Sequence, residues 1–142
     1  MKTEKPLFRL IDHTADLGMA VRGRDLESLF ERAGLSLIGI MLKSVPPGPH
    51  MLRSVNITAG DLTDLMVRWL GEILYLFEGE GEILSAVSIE KLTPTRMDTT
   101  LATVSFDPER HEILREIKAV TYHKASVRRA GGHYVSRIFF DL

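Results

Sequence analysis

The sequence predicts one α+β domain over residues 1–142, with two amphipathic helices packed on a largely antiparallel or mixed β-sheet. Two long stretches carry apolar residues at three- and four-residue steps, the mark of a helix with one buried stripe. Eight shorter stretches alternate or run apolar as strands do, and the last of them follow one another closely. A chain of 142 residues can bury one core without a disulfide or a structural metal.

The first strand covers residues 7–12, with Phe8 and Leu10 on one face and Arg9 on the other. A turn is expected at residues 16–18, then a short apolar strand at 19–22. Asp25 caps a helix, its carboxylate accepting from the first free amides. Leu26, Leu29, Phe30, Ala33, Leu37, Ile40 and Met41 form the buried stripe. Pro46-Pro47-Gly48-Pro49 ends this helix, because proline lacks the amide that a helix interior needs. Neither flank of that loop holds enough residues for a core of its own, so it joins parts of one domain. Residues 52–58 form a strand, and Asp61 caps the second helix. Leu62, Leu65, Met66, Trp69, Leu70, Ile73, Leu74 and Phe77 share its stripe, with Asp64, Arg68 and Glu72 off it. A turn is expected across residues 78–82. Residues 83–92, 99–106, 117–123, 125–129 and 134–140 supply the remaining strands. Gly131-Gly132 fits a tight hairpin, since glycine reaches positive φ cheaply.

Composition excludes several classes of function. The chain has no cysteine, which removes disulfide frameworks, thiolate zinc sites, iron–sulfur clusters and cysteine nucleophiles. Eighteen Lys and Arg stand against nineteen Asp and Glu, so no global positive field draws in nucleic acid. Direct binding of RNA or DNA is therefore expected to be weak. No apolar run reaches the ~18 residues of a membrane span, and residues 1–6 lack a signal-peptide core. A cytoplasmic protein without membrane contact is expected. Phosphate loops, dinucleotide fingerprints, nucleophile elbows and zinc-protease motifs are all missing, so nothing declares an enzyme. Charge is uneven along the chain. Residues 59–92 hold seven acids and two bases, a net of −5, whereas 107–142 hold seven bases and five acids, a net of +2. Solvated faces account for such a split, and so does a bipolar surface that orients a partner.

Asp12-His13-Thr14-Ala15-Asp16 is the densest polar knot. The strand period puts Asp12 on the face of Phe8 and Leu10, where a carboxylate needs a cation or several donors. An Asx turn closing the strand would use the same residue. Asp141 follows Ile138-Phe139-Phe140, an apolar run that predicts a docked strand end rather than a frayed one. Docking would also fix the backbone and terminal oxygens of Leu142. Two carboxylates with such oxygens suit Ca²⁺ or Mg²⁺ rather than zinc. Strand order decides whether Asp12 meets Asp141, and spacing does not carry strand order. In Ile117-Lys118-Ala119-Val120-Thr121-Tyr122-His123, an unbroken strand puts Lys118 and Tyr122 on one face, and Thr121 and His123 on the other. Lys118 and His123 then share a site only across a bulge. An edge-strand lysine and a hydrogen-bonded histidine are the structural alternatives. A metal-dependent hydrolase would hold its ion with Asp12 and Asp141 and use His13 or His123 as general base.

Four blocks in order resemble the archease family over essentially the whole chain: Asp12-His13-Thr14-Ala15-Asp16-Leu17-Gly18, Trp69-Leu70-Gly71-Glu72-Ile73-Leu74-Tyr75-Leu76, residues 117–123, and Ile138-Phe139-Phe140-Asp141-Leu142. The resemblance implies a small α+β protein, itself no enzyme, that assists the GTP-dependent tRNA-splicing RNA ligase. That ligase joins 2′,3′-cyclic-phosphate or 3′-phosphate ends to 5′-hydroxyl ends. The accessory role implied is chaperone-like: it promotes ligase guanylylation, supports multiple turnover and broadens nucleotide use, with tRNA reached through the ligase. The resemblance also implies a divalent ion, usually Ca²⁺ with Mg²⁺ or Mn²⁺ as alternatives, held by Asp12, Asp141 and Leu142. His13, Asp16, Lys118 and His123 are further candidates, Lys118 matching a functionally important lysine. Gly71, where the family commonly has asparagine, and Ala125, where it has a larger apolar residue, depart from the pattern away from the ligand positions.

Overall fold

Residues 8–12, 16–44 and 48–142 are described by the computed structural model. Their elements run β1 (Phe8–Asp12), β2 (Asp16–Gly23), α1 (Leu26–Met41), β3 (Met51–Thr58), α2 (Leu62–Glu80), β4 (Glu82–Thr93), β5 (Arg96–Ser105), β6 (Ala119–Ala130) and β7 (His133–Asp141). The α+β expectation holds, but the strands form two antiparallel sheets, β1-β2-β7-β6 and β3-β5-β4. Each helix packs against strands of both sheets, α1 on β2 and β4, α2 on β6 and β4. The core therefore lies where two helices and two sheets meet. No helix among the described residues is long and apolar enough to cross a membrane.

Both helix starts follow from their caps. The Ser28 amide donates to Asp25 Oδ1 at 2.7 Å, and Ser28 Oγ accepts from the Asp25 amide at 3.3 Å, a reciprocal capping box. The Asp64 amide donates to Asp61 Oδ1 at 2.8 Å. Between the helices, the Trp69 indole N–H donates to the Phe30 carbonyl at 2.8 Å, which satisfies the one polar atom of a fully buried ring.

Several expected boundaries move. Residues 16–18 are strand, not turn, because β2 runs from Asp16 and pairs with β7 over its whole length. Gly18 sits there for close packing: a Cβ on it would stand 2.6 Å from the Phe139 ring. The turn expected at 78–82 shrinks to Gly81, whose φ of 65° caps α2 in the left-handed region. α1 stops at Met41, ahead of the prolines, where Leu42 bridges Ile113 and the Met41 carbonyl accepts from Leu114 at 2.7 Å. The strands expected at 117–123 and 125–129 are one, β6, which starts two residues later at Ala119 and whose register shifts between Thr121 and Ser126 around Lys124 at φ 56°. The Gly131-Gly132 hairpin joins β6 to β7 as expected, with Ala130 paired to His133. Leu7, His13, Pro46 and Pro47 lie outside the described residues.

Candidate functional site

The order β1-β2-β7-β6 makes the last strand a central one, and that carries distant parts of the chain to one end of one sheet. Asp16 pairs directly with Asp141, and Asp141 pairs on its other side with Ala119. The neighbouring row runs Asp12, Leu17, Phe140, Val120. Asp12 thus keeps the rows of Phe8 and Leu10, opposite the core positions Leu17, Met19 and Val21. The Lys118 amide donates to the Asp141 carbonyl at 2.9 Å, so the strand end is held rather than frayed. Asp12, Asp16, Lys118, Asp141 and Leu142 therefore gather within three successive rows at this end. Asp12 lies one row inward of the Asp16–Asp141 pair, and Lys118 and Leu142 one row outward, so that the row of Asp12 alternates in face with that pair.

Directly paired residues share a sheet face, with Cβ atoms about 5 Å apart. The carboxylates of Asp16 and Asp141 accordingly face the same side, and like charges so placed repel. Neither makes an ion pair among the described residues. The donors available are hard oxygens, the kind that suit Ca²⁺ or Mg²⁺. Among the described residues no three His, Asp or Glu side chains come together as a metal cage. An ion at this end would need backbone oxygen, such as that of Leu142, to complete its shell. Asp16, a secondary candidate from sequence, is the direct partner of Asp141. No spacing signals that pairing, because it depends on β7 lying beside β2.

His123 is not brought to this end. It lies exposed in the β6 bulge, four residues beyond Ala119, on the order of 13 Å along the strand. The bulge is tied to α2 instead: the Tyr122 hydroxyl donates to Asp64 Oδ1 at 2.6 Å. That bond, the Gly60 amide and Arg68 hold the Asp64 carboxyl below the usual carboxylate range, and the same bond raises the Tyr122 hydroxyl. A hydrolase using His123 beside Asp141 finds no geometry here. His13, the other base considered, lies outside the described residues.

Residues 8–142 match the model of the Archease protein family (MTH1598/TM1083). Protein archease of Sulfurisphaera tokodaii is 30% identical over 137 residues, covering 95% of this chain and 98% of that protein. The solution structure of Methanobacterium thermoautotrophicum protein 1598 has a TM-score of 0.76 at 27% identity, covering 97% of this chain and 100% of that one. A Thermotoga maritima archease, described as a possible chaperone, has a TM-score of 0.61 at 21% identity over 100% and 99% of the two chains, a likeness of fold.

Proposed function

The chain belongs to the archease family, and on that premise we propose that it is a non-catalytic accessory protein of the GTP-dependent tRNA-splicing RNA ligase. In this reading it promotes guanylylation of the ligase and supports its multiple turnover. The ligase itself joins the 3′-phosphate or 2′,3′-cyclic-phosphate end to the 5′-hydroxyl end. The carrying observation is the gathering of Asp12, Asp16, Asp141 and Leu142 at one sheet end. Asp12, Asp141 and the Leu142 backbone would hold a divalent ion, Ca²⁺ by donor chemistry, and Asp16 adds charge beside them. A bound ion supplies positive charge with open coordination positions, suited to an anionic group on the partner. The Lys118 amide keeps Asp141 in register, and its exposed side chain adds a cation at the same end. The distance of His123 from these carboxylates supports an accessory role over hydrolysis.

A ligation assay with catalytic amounts of ligase tests this reading. Added chain should raise the number of joined ends per ligase beyond one, and Asp141→Asn should abolish that gain. Turnover unchanged by the wild-type chain refutes the proposal.

A further inference from the structure

The same sheet face that carries Asp16 and Asp141 holds a second feature toward its other end. One strand row runs Arg9, Ala20, Arg137, and the next row of the same face, two positions along, runs Arg22, Val135, Arg128. Directly paired residues share a face, so four arginines stand together over two small apolar positions. Arg24, just past β2, and Arg32 of α1 flank the side of this open groove of about 1220 Å³. Six arginines and His133 line it against one acid, Glu31.

These charges are largely uncompensated. Arg24 has only an exposed contact with Asp25 at 3.8 Å. Arg22 donates to His133 Nε2, at 2.7 Å from Nη2 and 3.2 Å from Nε. Arg9, Arg32, Arg128 and Arg137 make no ion pair among the described residues. Arg32 Nε is moreover buried with no hydrogen-bond partner, an arrangement that favours an incoming acceptor. Guanidinium groups gathered along one groove repel one another, and an anion lying between them relieves that repulsion.

The kind of anion follows from what the groove lacks. Protein partners draw most of their binding energy from buried aromatic and aliphatic anchors. The large exposed apolar side chains, Leu52, Tyr75, Ile113, Leu114 and Tyr122 among them, all lie outside this groove. Guanidinium forks in place of lysines match phosphate oxygens bidentately. We propose that the groove binds the phosphodiester backbone of an RNA strand. Phosphate is assigned by this chemistry, and the choice of RNA over DNA rests on the ligase reading above. Among the described residues the only rings lining the groove are the half-buried Phe8, packed against the core, and His133, engaged by Arg22, so the contact is chiefly to backbone and indifferent to sequence. Along β7, Arg137 stands four residues from Asp141, about 13 Å. A strand on the arginines thus runs toward the acidic end, where a cation would relieve its repulsion from Asp16 and Asp141.

The test uses the full chain without ligase and a fluorescent, unstructured oligoribonucleotide of roughly 16 nucleotides. Fluorescence anisotropy is read between about 50 and 200 mM salt. If all six arginines meet phosphates, log affinity falls with log salt at a slope of about −4, a roughly 300-fold loss across that range. The triple variant Arg9→Ala, Arg22→Ala, Arg128→Ala changes only exposed side chains and should reduce the slope to about −2. Lys91→Ala with Arg96→Ala, on the other sheet, should leave it unchanged. Absence of binding at the lowest salt, or equal slopes for the triple variant and wild type, overturns the proposal. So does displacement of the RNA by polyglutamate at equal charge, which would assign the groove to an acidic protein surface. A chain that binds RNA yet fails to raise ligase turnover refutes the accessory function and leaves the groove assignment standing. A chain that raises turnover without binding RNA does the reverse.

Discussion

Truncating Trp69 probes the contact on which the two helices depend. It is the only tryptophan in the chain, is fully buried, and donates its indole N–H to the Phe30 carbonyl. Across from it, a Cβ added at Gly34 would stand 3.0 Å from the indole ring and 2.9 Å from Ile73 Cδ1, so the interface has no spare room. A buried indole removes about 150–250 Å² from water. At about 25 cal/mol per Å² that is about 4–6 kcal/mol, an upper bound because the unfolded chain already hides part of it. Aromatic-to-alanine truncations in cores cost about 3–5 kcal/mol, and Trp69→Ala is expected in that range. With an unfolding entropy of about 2.1 cal/mol/K per residue, 142 residues give about 0.3 kcal/mol/K. The melting temperature should fall by about 10–17 °C. Trp69→Phe keeps a ring and loses mainly the hydrogen bond, so about 1–2 kcal/mol and about 3–7 °C are expected. Thermal melts followed by far-ultraviolet circular dichroism measure both variants. A Trp69→Ala protein melting with the wild type, or a Trp69→Phe protein losing as much as Trp69→Ala, refutes the reasoning.

The remaining predictions concern the sheet end, one buried carboxylate and one strand glycine. Deleting Asp141 and Leu142 should abolish Ca²⁺ binding by calorimetry together with ligase stimulation. Its stability cost should be modest, because Ile138 and Phe140 stay buried. Asp12→Ala should remove the ion and keep the fold, and retained Ca²⁺ affinity in either variant would sink the site. Glu82 is buried and accepts from Arg53 Nε at 2.9 Å and Thr103 Oγ1 at 2.8 Å, with Arg53 chiefly holding its carboxyl below the usual range. A depressed folded-state pKa contributes stability that is fully present above the unfolded value of about 4.3 and lost as pH falls through the folded one. Glu82→Gln should therefore melt lower at neutral pH and show a flatter acid limb; parallel pH profiles would count against this. Gly18→Ala would place a Cβ 2.6 Å from the Phe139 ring and 2.9 Å from Ile11 Cβ, and a loss of about 1–3 kcal/mol is expected from overpacking. A denaturant midpoint equal to wild type would show that the sheet yields there.

The helices were legible because their causes are local. A stripe at three- and four-residue steps and an aspartate cap specify α1 and α2 within the segments that form them. The β6–β7 hairpin was legible for the same reason, two glycines between two strand patterns. The left-handed position of Gly81 is equally local, but the alternating glutamates and glycines of residues 78–82 read as a five-residue turn because they carry no apolar step to mark where the helix period stops. Strand order is a different matter, because pairing register depends on residues more than a hundred positions apart. Asp16 faces Asp141 only because β7 inserts between β2 and β6. The arginine groove was equally hidden. Asp25, Glu27 and Glu31 lie between Arg24 and Arg32 in the chain and keep the local charge near zero. Folding separates what the sequence interleaves: Asp25 turns to cap α1, and the strand period sends Arg9, Arg22, Arg128 and Arg137 to one face. The helices, the hairpin, the family resemblance and a charge balance that excludes a global field follow from the order of residues alone. Where charge collects follows from strand order instead, because local propensity acts over a few residues whereas a sheet face is assembled from all the strands that share it.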